Sequence, residues 1–199
     1  ARRRALDAEV SAFLVDRPGR ASGKPFAWVG DLNVAAAWED VGPSPEWFRH
    51  KNGQEATDES DRGQPGFTPN EQSRFQSICE AGGLVDAYRL LHPQPDWSVD
   101  STWRGTPGAH GVPEAGRYYG KGMRIDYVLV DSATAPRVSH ATVHGKGPDR
   151  AGFLGSDHCP LIVSLAPSPA ESRGEGAAAA SGSSSSSASA SGSASVGAT

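Results

Sequence analysis

The chain is short of cysteine, has no apolar run of transmembrane length, shows no internal repeat and carries no excess of positive charge. Its two cysteines, Cys79 and Cys159, stand far apart without metal-ligand spacing. This argues against a disulfide framework and reads as two small buried residues of a reducing compartment. The missing long apolar run excludes a membrane-spanning helix, and the N-terminus has no apolar core of a signal peptide. Net charge is −4 over 199 residues. A nucleic-acid partner would therefore have to be met by local basic residues and by metal, not by a global positive field. From about Pro167 onward aromatics vanish, and Ala, Ser and Gly dominate. Such a segment cannot bury enough apolar surface to offset its ordering entropy. Residues 1–166 are thus expected to be folded and 167–199 to be a disordered tail. The chain begins with Ala, not Met, and reads as a fragment or a processed product.

What is there is a series of element signals. Leu6, Val10, Phe13 and Leu14 follow helical spacing, and Arg17-Pro18-Gly19 ends that helix. Arg2-Arg3-Arg4 reads as its solvated end, with a phosphate-binding patch as the alternative. Phe26-Ala27-Trp28-Val29 is a continuous apolar run, as expected of a strand buried on both faces. Gly42 to Gly66 is polar without clear periodicity. Thr68-Pro69-Asn70-Glu71 then announces a helix with a capping box, a buried stripe of Phe75, Ile78 and Cys79, and a stop at Gly82-Gly83. Gly105 to Gly122 reads as a long loop. Ile125, Tyr127 and Leu129 alternate with Arg124, Asp126 and Val128, the period of a strand. Val138–Val143 and Leu161–Leu165 are further strand candidates. Strands mixed with helices over this length indicate a layered α/β domain.

Three polar clusters interrupt these runs. Asp31 and Asn33 stand two apart at a strand exit, so a continuing strand would put both side chains on one face. One can ligate a cation or hold a water. The other can hydrogen-bond a phosphate oxygen without adding repulsive charge. Asp157 is a natural ligand for a hard cation, and His158 beside it titrates near neutrality and can deprotonate water. Asp126 stands among apolar residues and needs a partner. Arg124 and His158 both qualify, and spacing leaves the choice open. Three carboxylates, a carboxamide and an imidazole suit metal-assisted phosphodiester hydrolysis.

In order along the chain stand Gly30-Asp31-Leu32-Asn33-Val34-Ala35, then Gly66-Phe67-Thr68-Pro69 with Glu71 and Phe75. Leu84, Asp86, Arg89, Pro93 and Thr102-Trp103 follow. Arg124-Ile125-Asp126-Tyr127 and Gly155-Ser156-Asp157-His158-Cys159-Pro160 complete the series. This pattern, from about Trp28 to Leu165, resembles the C-terminal half of AP endonucleases of the exonuclease III type, in the endonuclease/exonuclease/phosphatase superfamily. The Gly-Phe-Thr-Pro segment points to that branch rather than to the lipid phosphatases or deadenylases.

The resemblance implies an α/β fold, here half of a four-layered α/β sandwich, and Mg²⁺- or Mn²⁺-dependent cleavage of DNA 5′ to an abasic site, with 3′–5′ exonuclease activity as a companion. It implies catalytic roles for Asp31, Asn33, Asp126 and His158, and a metal site drawn from Asp31, Asn33, Asp157 and His158. Trp103, Met123 and Ile125 fall where the family receives a flipped-out abasic sugar, and Arg117 and Lys121 where it touches DNA. Thr102, Met123 and Ala36 depart from residues common in relatives, which bears on pocket shape. The family's N-terminal half, with a metal-binding glutamate, has no counterpart in the sequence, so residues 1–199 alone are expected to be poorly folded and inactive. The alternatives are a superfamily phosphoesterase acting on RNA or small phosphoesters, or a non-catalytic fragment. A repair role would place the protein inside the cell, in the nucleus or an organelle.

Overall fold

The computed structural model describes residues 2–105, 120–145 and 151–168. Arg117 and the tail from residue 169 onward lie outside them. Helix α1 (Arg2–Asp16) leads into strand β1 (Ala27–Asp31). A short strand β2 (Val41–Gly42) and helix α2 (Pro45–Lys51) follow, then α3 (Pro69–Gly82), β3 (Leu84–Asp86), α4 (Ala87–Leu91) and α5 (Trp97–Asp100). The remaining strands are β4 (Gly122–Met123), β5 (Asp126–Asp131), β6 (Val138–Val143) and β7 (Leu161–Leu165). All of them fall in a compact unit that ends at Ala166. β1, β5 and β3 form a three-stranded antiparallel sheet in the order β1-β5-β3, while β2 pairs with β4 and β6 with β7.

The capping chemistry behaves as the sequence predicts at α3. The Thr68 side chain accepts from Glu71 N, the Glu71 carboxylate reaches back to Thr68 N, and Gly83 closes the helix in the left-handed region at φ 63°. Phe75 and Ile78 of α3, Leu14 of α1, and Leu84, Tyr127 and Leu129 of the sheet bury together. Each such side chain contributes roughly 1.5–3 kcal/mol on burial. A second cluster joins Phe48 of α2 and Phe67 to Met123 and Ile125. This cluster underlies the polar site. Both cysteines are free: Cys159 is buried, Cys79 half-buried, and burial pushes the Cys79 thiol up to about 12.

Four expectations are corrected. The buried stripe of α1 is Asp7, Val10 and Leu14, whereas Leu6 and Phe13 are 54% and 57% exposed. The reason is ionic: Asp7 accepts from both Arg3 and Arg74, at 2.8 Å each, which turns that side of the helix inward. Arg3 and Arg4 are not merely solvated, since Arg3 also donates to Leu32 O and Arg4 pairs with Asp61. β1 is not buried on both faces; Val29 is 61% exposed, because only one face is covered by helices. The polar stretch after Gly42 holds α2, whose signals were Pro45 in the first turn with Glu46, and Arg49, His50 and Lys51 in the last.

Candidate active site

The site forms where three chain segments end against one another. β1 and β5 run antiparallel, and their register sets Asp31 directly opposite Asp126 at the open end of the ladder. Beyond Asp31 the chain turns sharply. The Asp31 carboxylate accepts from Asn33 N at 2.8 Å and from Asn33 Nδ2 at 3.1 Å, and Asn33 adopts φ 50°. Asn is among the few residues that tolerate that region. The period-two argument for Asp31 and Asn33 therefore fails, because the strand stops at Asp31. The two side chains meet through the turn instead.

The turn is held from outside. The Tyr127 hydroxyl donates to Val34 O at 2.7 Å and accepts from Ala36 N at 3.1 Å, and Gln72 donates to Ala35 O. Gly66 O accepts from Ala35 N. Gly66 sits at φ 84°, and a Cβ there would lie 2.7 Å from Asn33 O. Only glycine lets the Gly-Phe-Thr-Pro segment approach so closely.

The third segment carries His158. Its Nδ1 lies 2.9 Å from Asp126 Oδ2, and its Nε2 lies 4.0 Å from Asp31 Oδ2. The imidazole thus bridges the two register partners. The hydrogen bond to Asp126, reinforced by the charges of Asp126, Asp31 and Asp157, outweighs partial burial and raises the pKa of His158 above its ordinary value. Asp126 therefore pairs with His158, not with Arg124. Arg124 is turned inward and buried, donating to Asp40 at 2.9 Å and to Asp86 at 2.6 Å. β5 begins only at Asp126, so the alternation projected back to Arg124 does not hold.

Thr102 and Trp103 knit the segments together. Thr102 Oγ1 accepts from Ile125 N and Asp126 N, both at 3.1 Å, and Thr102 O accepts from Cys159 N. Trp103 bridges to Met123 on one side and His158 on the other, and its Nε1 donates to Asp157 Oδ2 at 3.1 Å. A cavity of about 170 Å³ opens here, lined by Asn33, Gln64, Pro65, Trp103, Met123, Ile125 and His158. The expected pocket residues Trp103, Met123 and Ile125 thus meet the polar cluster. Gln64, Pro65, Thr102 as a backbone acceptor and Tyr127 as a clamp were not foreseen as contributors; a Gln-Pro pair just before Gly66 was the available signal. Lys121 lies aside, with its ammonium over the Trp47 ring at 4.5 Å. A larger cavity, about 730 Å³, lies between α1 and the loop after α2 and shares Gln64 and Pro65 with this one.

Among the described residues no three His, Cys, Asp or Glu side chains form a ready-made metal cage. The donors present are nonetheless hard oxygens: Asp31, Asn33 and Asp157. Mg²⁺ is commonly held by one or two carboxylates, with waters and substrate phosphate filling the rest. In donor chemistry these residues suit such a cation: Asp31 and Asn33 meet in the turn, and Asp157 precedes His158.

No protein-family model matches the chain. An Arabidopsis thaliana DNA-(apurinic or apyrimidinic site) endonuclease is 41% identical over 167 residues, covering 83% of this chain and 43% of that protein. A Plasmodium falciparum protein of the same name is 32% identical, covering 82% of this chain and 27% of its own length. Among solved structures, an AP endonuclease from Leishmania major superposes with a TM-score of 0.57 at 27% identity, over 82% of this chain and 43% of that one. A Neisseria 3′ phosphatase bound to a product DNA hairpin gives a TM-score of 0.58 at 23% identity, over 81% and 52% respectively, which speaks to fold alone. By its similarity to these endonucleases and by its fold the chain belongs to the endonuclease/exonuclease/phosphatase superfamily. Within it, the chain is a homologue of the AP endonucleases of the exonuclease III type, and spans less than half the length of the curated relatives it matches.

Proposed function

We propose that the protein is a divalent-metal-dependent phosphodiester hydrolase of DNA repair that cuts the backbone 5′ to an abasic site. The observation that carries this reading is His158, fixed by Asp126 on one ring nitrogen and turned towards Asp31 with the other. A phosphodiester seated over this end of the ladder meets an imidazolium that Asp126 stabilises, so negative charge on the phosphorus oxygens is neutralised as it builds up. Asp31, oriented by Asn33, accepts the proton of the attacking water. The bond from phosphorus to the 3′ oxygen breaks as the water oxygen bonds to phosphorus, and the 3′ oxygen takes up a proton from solvent to leave as a hydroxyl. The Asn33 carboxamide contacts a phosphate oxygen without like-charge repulsion. Asp157, with Asp31 and Asn33, would hold Mg²⁺ or Mn²⁺, which supplies Lewis-acid neutralisation of the phosphate when bound. The pocket of Trp103, Met123 and Ile125 receives the extruded abasic sugar, which leaves the stack at little cost because it has no base to unpair.

Cleavage of a duplex carrying one abasic site tests the reading. The chain is assayed alone and with a family N-terminal half supplied in trans, with and without Mg²⁺. Metal-dependent incision at the 5′ side supports it. No incision under either arrangement, with the chain folded, would overturn it.

A further inference from the structure

The helix α2 and the segment before β4 bring two ammonium groups to one indole at the edge of the site. Lys51 Nζ lies 6.0 Å and Lys121 Nζ 4.5 Å from the Trp47 ring centroid. Trp47 is itself anchored: it packs edge-on against buried Phe48, at 5.2 Å between centroids, and on the cluster containing Met123 and Ile125. Those two residues wall the catalytic pocket, and Lys121 stands two residues before Met123. The ring quadrupole attracts each cation. It thereby holds two flexible side chains against one ring and lowers the ordering entropy that an arriving anion would otherwise have to offset. The placement is also continuous with the pocket. Gln64 and Pro65 line the catalytic cavity on one side and, with Lys51, the 730 Å³ groove on the other. Gln64 and Pro65 thus join the catalytic cavity to the groove that Lys51 lines.

We propose that Trp47, Lys51 and Lys121 form a phosphate clamp for the backbone of the nucleic-acid strand whose reacting phosphate sits at His158; this rests on the reading of the pocket given above. The ligand chemistry is a backbone phosphodiester away from the cleaved bond, gripped by two charges without base recognition. In a chain of net charge −4, such a local pair supplies the positive charge that the chain as a whole lacks.

The experiment measures binding of the chain to a fluorescent duplex carrying a stable abasic analogue, by anisotropy in EDTA, across a salt series. Each phosphate contact contributes about −0.9 to the slope of log affinity against log salt. Replacing both lysines (Lys51→Gln with Lys121→Gln) is expected to weaken binding several-fold and to flatten the slope by about 1–2. Lys51→Gln alone should flatten it by about 1. Thermal unfolding of each variant verifies that the fold is kept. An unchanged slope in a folded double variant would overturn the clamp, even if the chain cleaves DNA. A lysine-dependent slope without any cleavage would keep the clamp and remove the catalytic reading. Absence of duplex binding overturns both. Tryptophan emission is then titrated with inorganic phosphate alone, and Trp47→Phe serves as the control that isolates Trp47 among the five tryptophans. A response to free phosphate but not to duplex would reassign the clamp to a small anion and overturn the strand proposal.

Discussion

Asp31 and Asp126 are register partners at the end of one antiparallel ladder, and His158 spans them. Two carboxylates facing each other would repel, and a proton on the imidazole between them offsets that repulsion. The expected consequence is that the three act as a unit. His158→Ala and Asp31→Asn should each lower single-turnover incision of an abasic duplex by about 10²–10⁴ while leaving the unfolding midpoint nearly unchanged. Rates within a few-fold of the parent protein in either variant would remove that residue from the chemistry.

Asp157 stands apart from this unit. Its carboxylate accepts from Trp103 Nε1, not from the imidazole. A carboxylate so placed suits a hard cation better than Asp126, whose oxygen is taken by His158. Asp157→Ala is expected to raise the Mg²⁺ concentration for half-maximal incision more than Asp126→Ala does. A Mg²⁺ titration of both variants checks this, and equal displacements would mean that the ligand has been misplaced.

Why the sequence was legible in some places and opaque in others follows from how local each cause is. The α3 cap was readable because Thr68, Pro69, Glu71 and Gly83 act within one turn of themselves. The polar residues at strand ends were readable because each interrupts an apolar run. Pairing across the fold was not. Asp126 had two plausible partners at the level of spacing, and only the packing of Thr102-Trp103 between β4 and the Cys159 segment decides for His158. The inward turn of Arg124 depends on Asp40 and Asp86, 84 and 38 residues away in the chain. The exposure of Val29 had no local signal, since what covers a strand face is set by other elements.

Tyr127 offers a test of how the Asn33 turn is held. Its buried hydroxyl serves Val34 O and Ala36 N at once. Tyr127→Phe keeps the ring that packs on Phe75 at 5.0 Å, but strands both backbone groups. Leaving buried polar groups unpaired costs about 1–3 kcal/mol. Denaturant unfolding of the variant should show a loss of that size, and incision should slow because Asn33 is less firmly placed. Unchanged stability would mean that Gln72 and Gly66 suffice to fix the turn.

The acid limit of stability should be set by Asp40. It is 1% exposed and meets Arg124 at 2.9 Å and Arg89 at 2.5 Å. Burial alone would raise its pKa, but the charge and hydrogen bonds of Arg124, followed by those of Arg89, outweigh burial and hold the carboxyl below the usual carboxylate range. A folded-state pKa below the unfolded one stabilises the fold above the unfolded value, about 3.9, and that contribution is lost as pH falls from there through the depressed value. Both guanidiniums stay charged throughout, so protonating Asp40 removes the carboxylate they share and leaves Arg124 with Asp86 and Arg89 with Asp100. Asp40→Asn imposes the same loss at neutral pH, where breaking a buried pair costs about 3–5 kcal/mol. Urea unfolding from pH 7 to pH 3 should therefore show the parent protein losing stability steeply below about pH 4, while Asp40→Asn starts lower and falls less steeply. Parallel curves would place the acid-sensitive group elsewhere.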